Sequence, residues 1–141
     1  MKLTKATKKE LKAVVELFLE ESSKKPYHQN YSPKTAKLRV NEMFNFGSIY
    51  IAFEEKELAG FIAIAGEGKG EIYIDEFWIS NKYQRRGLGS KLLNFVQDKY
   101  KKKGAKTISV MTSRNAGAFK FYKKFKFKED REEVILKKRL K

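Results

Sequence analysis

Cysteine is absent from this chain of 141 residues, so disulfides, thiolate metal sites and a cysteine nucleophile are excluded. Histidine occurs once. That residue, His28, sits in a polar stretch and reads as a surface group rather than a base; without clustered partners it gives no zinc site. No metal is expected. No apolar run approaches the roughly 18 residues that a membrane span requires. The opening Met1-Lys2-Leu3-Thr4-Lys5 lacks the apolar core of a signal peptide, so the expected location is cytoplasmic, with no membrane partner. Acidic side chains are also scarce: 17 Asp and Glu stand against 32 Lys and Arg, a net charge of +15. Such a surface draws polyanions, whether nucleic acid, acidic membranes or phosphorylated cofactors, and does not choose among them. Lysines that merely keep the surface solvated would give the same count.

What is present argues for a folded globule. Hydrophobic residues make up 41% of the chain and aromatics 13%, too many for a disordered segment. The length suits one domain, 1–141, with its own core. A short first strand is expected at 3–6. Thr7 and Glu10 form a capping-box pattern ahead of Leu11, Val14, Val15 and Phe18, predicting a helix to about residue 21. Residues 22–31, with Pro26, read as a loop. Ser32-Pro33 has the form of a cap with proline at the first helical position, and Leu38, Val40, Met43 and Phe44 carry a second helix to near Gly47. Residues 48–53 and 58–65 predict a hairpin. The turn 66–70 leads into a long strand, 71–80. A strand at 107–112, a helix at 115–125 and a closing strand pair at 127–129 and 133–138 complete the order. The strand-helix-strand crossover makes 71–80 and 107–112 parallel neighbours. The expected fold class is α/β, a mixed and mostly antiparallel sheet flanked by helices.

The stretch Gln84-Arg85-Arg86-Gly87-Leu88-Gly89-Ser90 organises the rest. It joins the long strand to an amphipathic helix marked by Leu88, Leu92, Leu93, Val96 and Tyr100. A Gly-x-Gly turn at a helix start leaves backbone N–H groups pointing one way, and glycine lets a ligand approach without meeting a Cβ. The helix dipole and the two arginines favour an anion there. This reads as a phosphate cradle, although a plain strand-to-helix turn with solvated arginines explains the same glycines. It is no Walker A loop. Nor is it a full dinucleotide fingerprint, since Leu92 fills the third glycine position.

Three features then occur in order across about residues 71–127. Gln84, Gly87 and Gly89 match a Gln/Arg-x-x-Gly-x-Gly/Ala pattern, Phe77-Trp78-Ile79 ends the strand before it, and Asn115-x-x-Ala118-x-x-Phe121-Tyr122 follows. Together they resemble the GNAT superfamily of N-acetyltransferases. The resemblance implies acetyl-CoA as cofactor, in a wedge where strand 71–80 splays from strand 107–112. It implies that N–H groups over 85–90 hold the pyrophosphate and that backbone groups of Phe77 and Ile79, flanking Trp78, pair with the pantetheine arm. It further implies that Asn115 hydrogen-bonds the cofactor, with Ala118 in the same motif, and that Tyr122 lies near the thioester sulfur. One departure stands out: Lys126 replaces the glycine with which the family usually ends that helix. Lysine disfavours the left-handed backbone glycine takes there, so an altered helix end is expected.

Amide formation from a thioester requires an ammonium to lose its proton, an oxyanion to be stabilised and a thiolate to leave. Asp75 and Glu76 lie on the long strand, where a carboxylate is costly without a task or a partner. As strand neighbours they are expected to face opposite sides. Family members with a similar strand, diamine acetyltransferases among them, use a carboxylate here to bind and deprotonate the amine. Asp75 is favoured as base, with Glu76 second, and Tyr122 is the general-acid candidate, against the plainer reading of a core aromatic. Glu20, Glu21, Tyr27 and Tyr31 fall where the resembling family lines its acceptor pocket, and are candidates for holding a cationic amine. The expected partner is therefore a small-molecule or peptide amine; a homodimer is left open. Two other readings stand beside this one. A nucleic-acid or ribosome-binding module has only electrostatic support, because Phe119 and Tyr122 fall on a helix face that core packing would use. A CoA-binding protein without catalysis is the other.

Overall fold

The structure, a computed structural model, describes every residue except Pro26 and Glu67. Those two, expected in the loop 22–31 and the turn 66–70, lie outside the described residues. The chain divides into two compact units, Met1–Met111 and Thr112–Lys141, and each is taken by itself.

The first unit contains β1 (Lys2–Lys5), α1 (Leu11–Ser22), α2 (Pro33–Phe46), β2 (Gly47–Glu54), β3 (Glu57–Ala65), β4 (Gly70–Ile79), α3 (Leu88–Lys102) and β5 (Ala105–Val110). Local chemistry starts both early helices. Thr7 and Glu10 close a reciprocal capping box around a short 3-10 turn, Lys8–Glu10, that feeds α1. Ser32 accepts a hydrogen bond from the Thr35 N–H, and Pro33 opens α2. The sheet runs β1-β2-β3-β4-β5. Its first three ladders are antiparallel and the last, β4 with β5, is parallel. This is the expected α/β class.

Ala59, Phe61, Ile62, Ala63 and Ile64 of β3 are all buried, as befits a strand covered on both faces. On one face Val14, Leu17 and Phe18 of α1, with Ala36, Val40 and Met43 of α2, pack on Ile49, Ile51, Phe61 and Ala63. Leu38, expected on that face, is exposed, because it stands two residues from both Ala36 and Val40 and so points around the helix. On the other face α3 buries Leu88, Leu92, Leu93, Val96 and Tyr100. There the Tyr50 hydroxyl donates to that of Tyr100 at 3.0 Å. Each buried side chain of this size contributes about 1.5–3 kcal/mol, so five of them fix α3, and with it the helix start, against the sheet.

The second unit holds α4 (Gly117–Lys124). Its end keeps the glycine-type geometry without a glycine. Lys126 takes φ +68, its N–H bonds the Lys123 carbonyl at 3.0 Å, and the Phe127 N–H bonds the Tyr122 carbonyl at 3.1 Å. This is a Schellman termination. The altered helix end expected from Lys126 is thus absent, because two hydrogen bonds and the Phe127 ring, 5.2 Å from that of Tyr122, hold the lysine in place. The expected closing strands at 127–129 and 133–138 do not form among the described residues. Val134, Ile135 and Leu136 are consecutive rather than alternating and lie exposed between charged blocks. Pairing them would bury charge with them, and an isolated short hairpin is marginal.

Candidate active site

Two breaks in the ladders of β4 shape the first unit's site. Ala63 pairs with Glu76 and Ile64 with Ile74, so Asp75 is an extra residue, a β-bulge. The ladder with β5 ends at Ile74 opposite Val110, whereas β4 runs on to Ile79. β5 itself ends at Val110, so residues 75–79 of β4 run on without a parallel partner among the described residues, where the splay is expected.

The bulge resets the alternation. Cross-strand partners share a face, so Glu76 and Trp78, opposite Ala63 and Phe61, lie toward α1 and α2. Strict alternation from Ile74 to Glu76 therefore does not hold across the bulge. Glu76 is fully engaged: Oε2 accepts from Arg39 Nε at 3.3 Å and Nη2 at 3.1 Å, and Oε1 accepts from Trp78 Nε1 at 2.8 Å. Its side chain is only 14% exposed. Asp75 is exposed, and its carboxylate has no hydrogen-bond or ion-pair partner among the described residues; Arg39 Nη2 reaches only its backbone oxygen, at 3.4 Å. Further along, hydrogen bonds from Ser109 and Tyr73 hold the Glu71 carboxyl below its usual range.

Aromatic rings wall the same side. The Trp78 ring stands edge-on to Tyr27 at 4.8 Å and to Phe18 at 6.2 Å, and Tyr31 packs on Phe18 at 4.8 Å. Burial pushes the Tyr27 hydroxyl pKa up. Glu20 is exposed and pairs with Lys24 at 3.6 Å. Glu21 is different: it is 4% exposed. Its Oε2 accepts from Lys24 Nζ at 3.0 Å and from the Asn81 N–H at 3.1 Å, and its Oε1 meets Gln84 Nε2 at 3.5 Å.

The turn after β4 begins with one 3-10 turn, Asn81–Tyr83. Gln84 Nε2 donates back to the Ile79 carbonyl at 2.9 Å. Arg85 and Gly87 then take φ +65 and +77, both left-handed, a pattern that aims successive N–H groups into one concavity. Gly87 is the N-cap of α3, and no side chain among the described residues caps the helix. The first bond of its ladder runs from the Lys91 N–H to the Gly87 carbonyl, so the N–H groups of Leu88, Gly89 and Ser90 precede it. Arg86 stacks over the Tyr83 ring at 5.7 Å. A Cβ at residue 87 would meet nothing within 4 Å; glycine is needed there for its φ, not for lack of room. The turn can hold a compact anion.

Asn115, Ala118 and Tyr122 belong to the second unit. Asn115 is exposed, its N–H bonding Ser113 Oγ at 3.2 Å. Ala118 is half-buried, and Tyr122 is 6% exposed with its ring between Phe121 and Phe127. Sequence reasoning missed Arg39 and Glu57. Arg39 is a cation between the buried Ala36 and Val40 of α2, a signal available in retrospect. Glu57, whose Oε2 accepts from Lys82 Nζ at 2.9 Å and the Tyr83 hydroxyl at 2.8 Å, carries none.

The sequence profile of the acetyltransferase (GNAT) family matches residues 11–127, and the chain belongs to that family. No curated protein sequence matches it. Among solved structures, a possible acetyltransferase from Clostridium difficile 630 is similar with a TM-score of 0.84 at 12% identity, covering 99% of this chain and 98% of the other. AAC(6')-Iy, in complex with the bisubstrate analogue CoA-S-monomethyl-acetylneamine, gives 0.74 at 17% identity, covering 98% and 97%. The ribosomal-protein-S18-alanine N-acetyltransferase from Escherichia coli gives 0.73 at 20% identity, covering 92% and 78%. At these identities the likeness is one of fold.

Proposed function

We propose that this chain moves an acetyl group from acetyl-CoA to a primary amine of a small molecule or peptide, by direct attack of the amine. The observation that carries the reading is the uncapped start of α3 behind two left-handed residues, next to the stretch of β4 that runs on past the end of β5. That turn suits a diphosphate, with N–H groups over 85–90 as donors and Arg85 and Arg86 adding charge. When bound, acetyl-CoA supplies the acyl group as a thioester, activated toward amines. The family resemblance assigns the pantetheine arm to the backbone of Phe77 and Ile79, flanking Trp78, and a cofactor hydrogen bond to Asn115, in one motif with Ala118. It assigns to the Tyr122 hydroxyl the proton that the leaving sulfur requires. Asp75 takes the ammonium proton. This choice is supported by its exposed, uncommitted carboxylate, whereas Arg39 and Trp78 already occupy Glu76. Glu20, Tyr27 and Tyr31 are candidate contacts for the amine.

Two measurements test this. Calorimetry should show CoA binding, and a panel of amines should release free CoA from acetyl-CoA. Asp75→Asn should lower kcat/KM by about a hundredfold at neutral pH, the scale of a lost general base, and Glu76→Gln should lower it less. A chain that binds no CoA, or an Asp75→Asn variant of undiminished activity, contradicts the assignment. CoA binding without transfer to any amine would leave a binding protein.

A further inference from the structure

We propose that Glu21 is a positioning residue for the acetyl-CoA turn, holding its shape from the far end of α1; the proposal rests on the acetyl-CoA reading above. Glu21 stands 60 residues before Asn81 in the chain, and its side chain is buried. A buried carboxylate is strongly unfavourable unless donors surround it, and the donors it has chosen are informative. The short turn Asn81–Tyr83 receives no side-chain cap from Ser80. Glu21 Oε2 supplies that cap from outside, accepting the Asn81 N–H at 3.1 Å. Its Oε1 faces Gln84 Nε2 at 3.5 Å, while the same amide group donates to the Ile79 carbonyl at 2.9 Å. A carboxylate only accepts, so Glu21 selects the orientation in which the Gln84 amide nitrogen ties the turn to the last residue of β4.

The next residue is Arg85 at φ +65. A non-glycine residue there is strained and persists only when its surroundings hold it. No hydrogen bond within residues 85–87 does so among the described residues, and the tie at Asn81 and Gln84 is the restraint immediately upstream. Glu57 grips the same turn through Lys82 and Tyr83, but with its side chain 52% exposed it is screened by solvent and salt. Glu57 is therefore the control. The acceptor role expected of Glu21 also loses its footing, since both of its oxygens are engaged by the protein.

The test is CoA affinity by calorimetry, with steady-state KM values for acetyl-CoA and amine, in Glu21→Ala, Glu21→Gln and Glu57→Gln. Losing a charged acceptor should weaken CoA binding by about tenfold in Glu21→Ala, and Glu21→Gln, which keeps one acceptor oxygen, should recover about half of that loss on a logarithmic scale. KM for the amine should stay within about twofold of wild type in both, and Glu57→Gln should match wild type in CoA affinity. If Glu21→Ala fails to fold, the intermediate CoA affinity of Glu21→Gln with unchanged amine KM carries the result. Wild-type CoA affinity in the Glu21 variants, or a rise in amine KM alone, overturns the proposal while leaving the acetyl-CoA reading intact. A wild-type chain that binds no CoA overturns both.

Discussion

Two helix ends in this protein force a side-chain-bearing residue into the left-handed region. Arg85 does so before α3 and Lys126 after α4, at φ +65 and +68. The conformation costs each of them about 1–2 kcal/mol, yet the surroundings differ. Lys126 is compensated on the spot: its own N–H and that of Phe127 close back on α4, and the Phe127 ring packs at a tilt against Tyr122. Arg85 has no such closure. Its neighbours are a second left-handed residue, a helix start with no cap and, upstream, a turn gripped from α1 and β3. Strain that is satisfied locally ends a helix. Strain without local closure is the kind that clusters at ligand clamps and active sites.

The largest effect that would break this comparison is at Gly87. Gly87→Val imposes a branched side chain at φ +77 in front of the donors, and CoA affinity should fall by more than about tenfold; calorimetry showing wild-type affinity would remove the anion site. Next, glycine at the two strained positions should separate their roles. Lys126→Gly should raise stability by about 1 kcal/mol in denaturant titration. Arg85→Gly should give a similar gain while lowering CoA affinity and flattening its salt dependence, since a cation is lost. If both variants behave alike in binding, the distinction fails. The smallest effect concerns Glu57. Hydrogen bonds from Lys82 and then Tyr83 hold its pKa below the ordinary 4.5. A carboxyl depressed in the folded state contributes stability above its ordinary pKa and loses it as pH falls through the folded value. Glu57→Gln should therefore show a slightly shallower loss of stability below pH 4.5 than wild type, and the difference should shrink in salt.

Much of this was legible in the sequence, and the failures have physical causes. Thr7 with Glu10, and Ser32 with Pro33, announce their helices because caps act over three residues. The α3 core stripe shows for the same reason: its information is periodic and local. The bulge at Asp75 is invisible because it is a mismatch between two strands, and β4 alone reads as unbroken. Glu20 and Glu21 are indistinguishable as letters, and only the packing of α1 decides that one is solvated and the other enclosed. Arg39 and Glu76 lie 37 residues apart, and nothing local joins them. The strands expected after α4 failed from the opposite error, β-prone residues credited without a partner to pair with.

The extra residue in β4 has one more implication. Asp75 answers to no neighbour across the strand, so its identity is free of the constraints that bind every other position of that ladder. A lineage carrying such a fold can exchange that side chain, or lengthen and shorten it, while the sheet around it stays as it was. Variation could then collect at a single loosely held letter, with the architecture inherited unchanged.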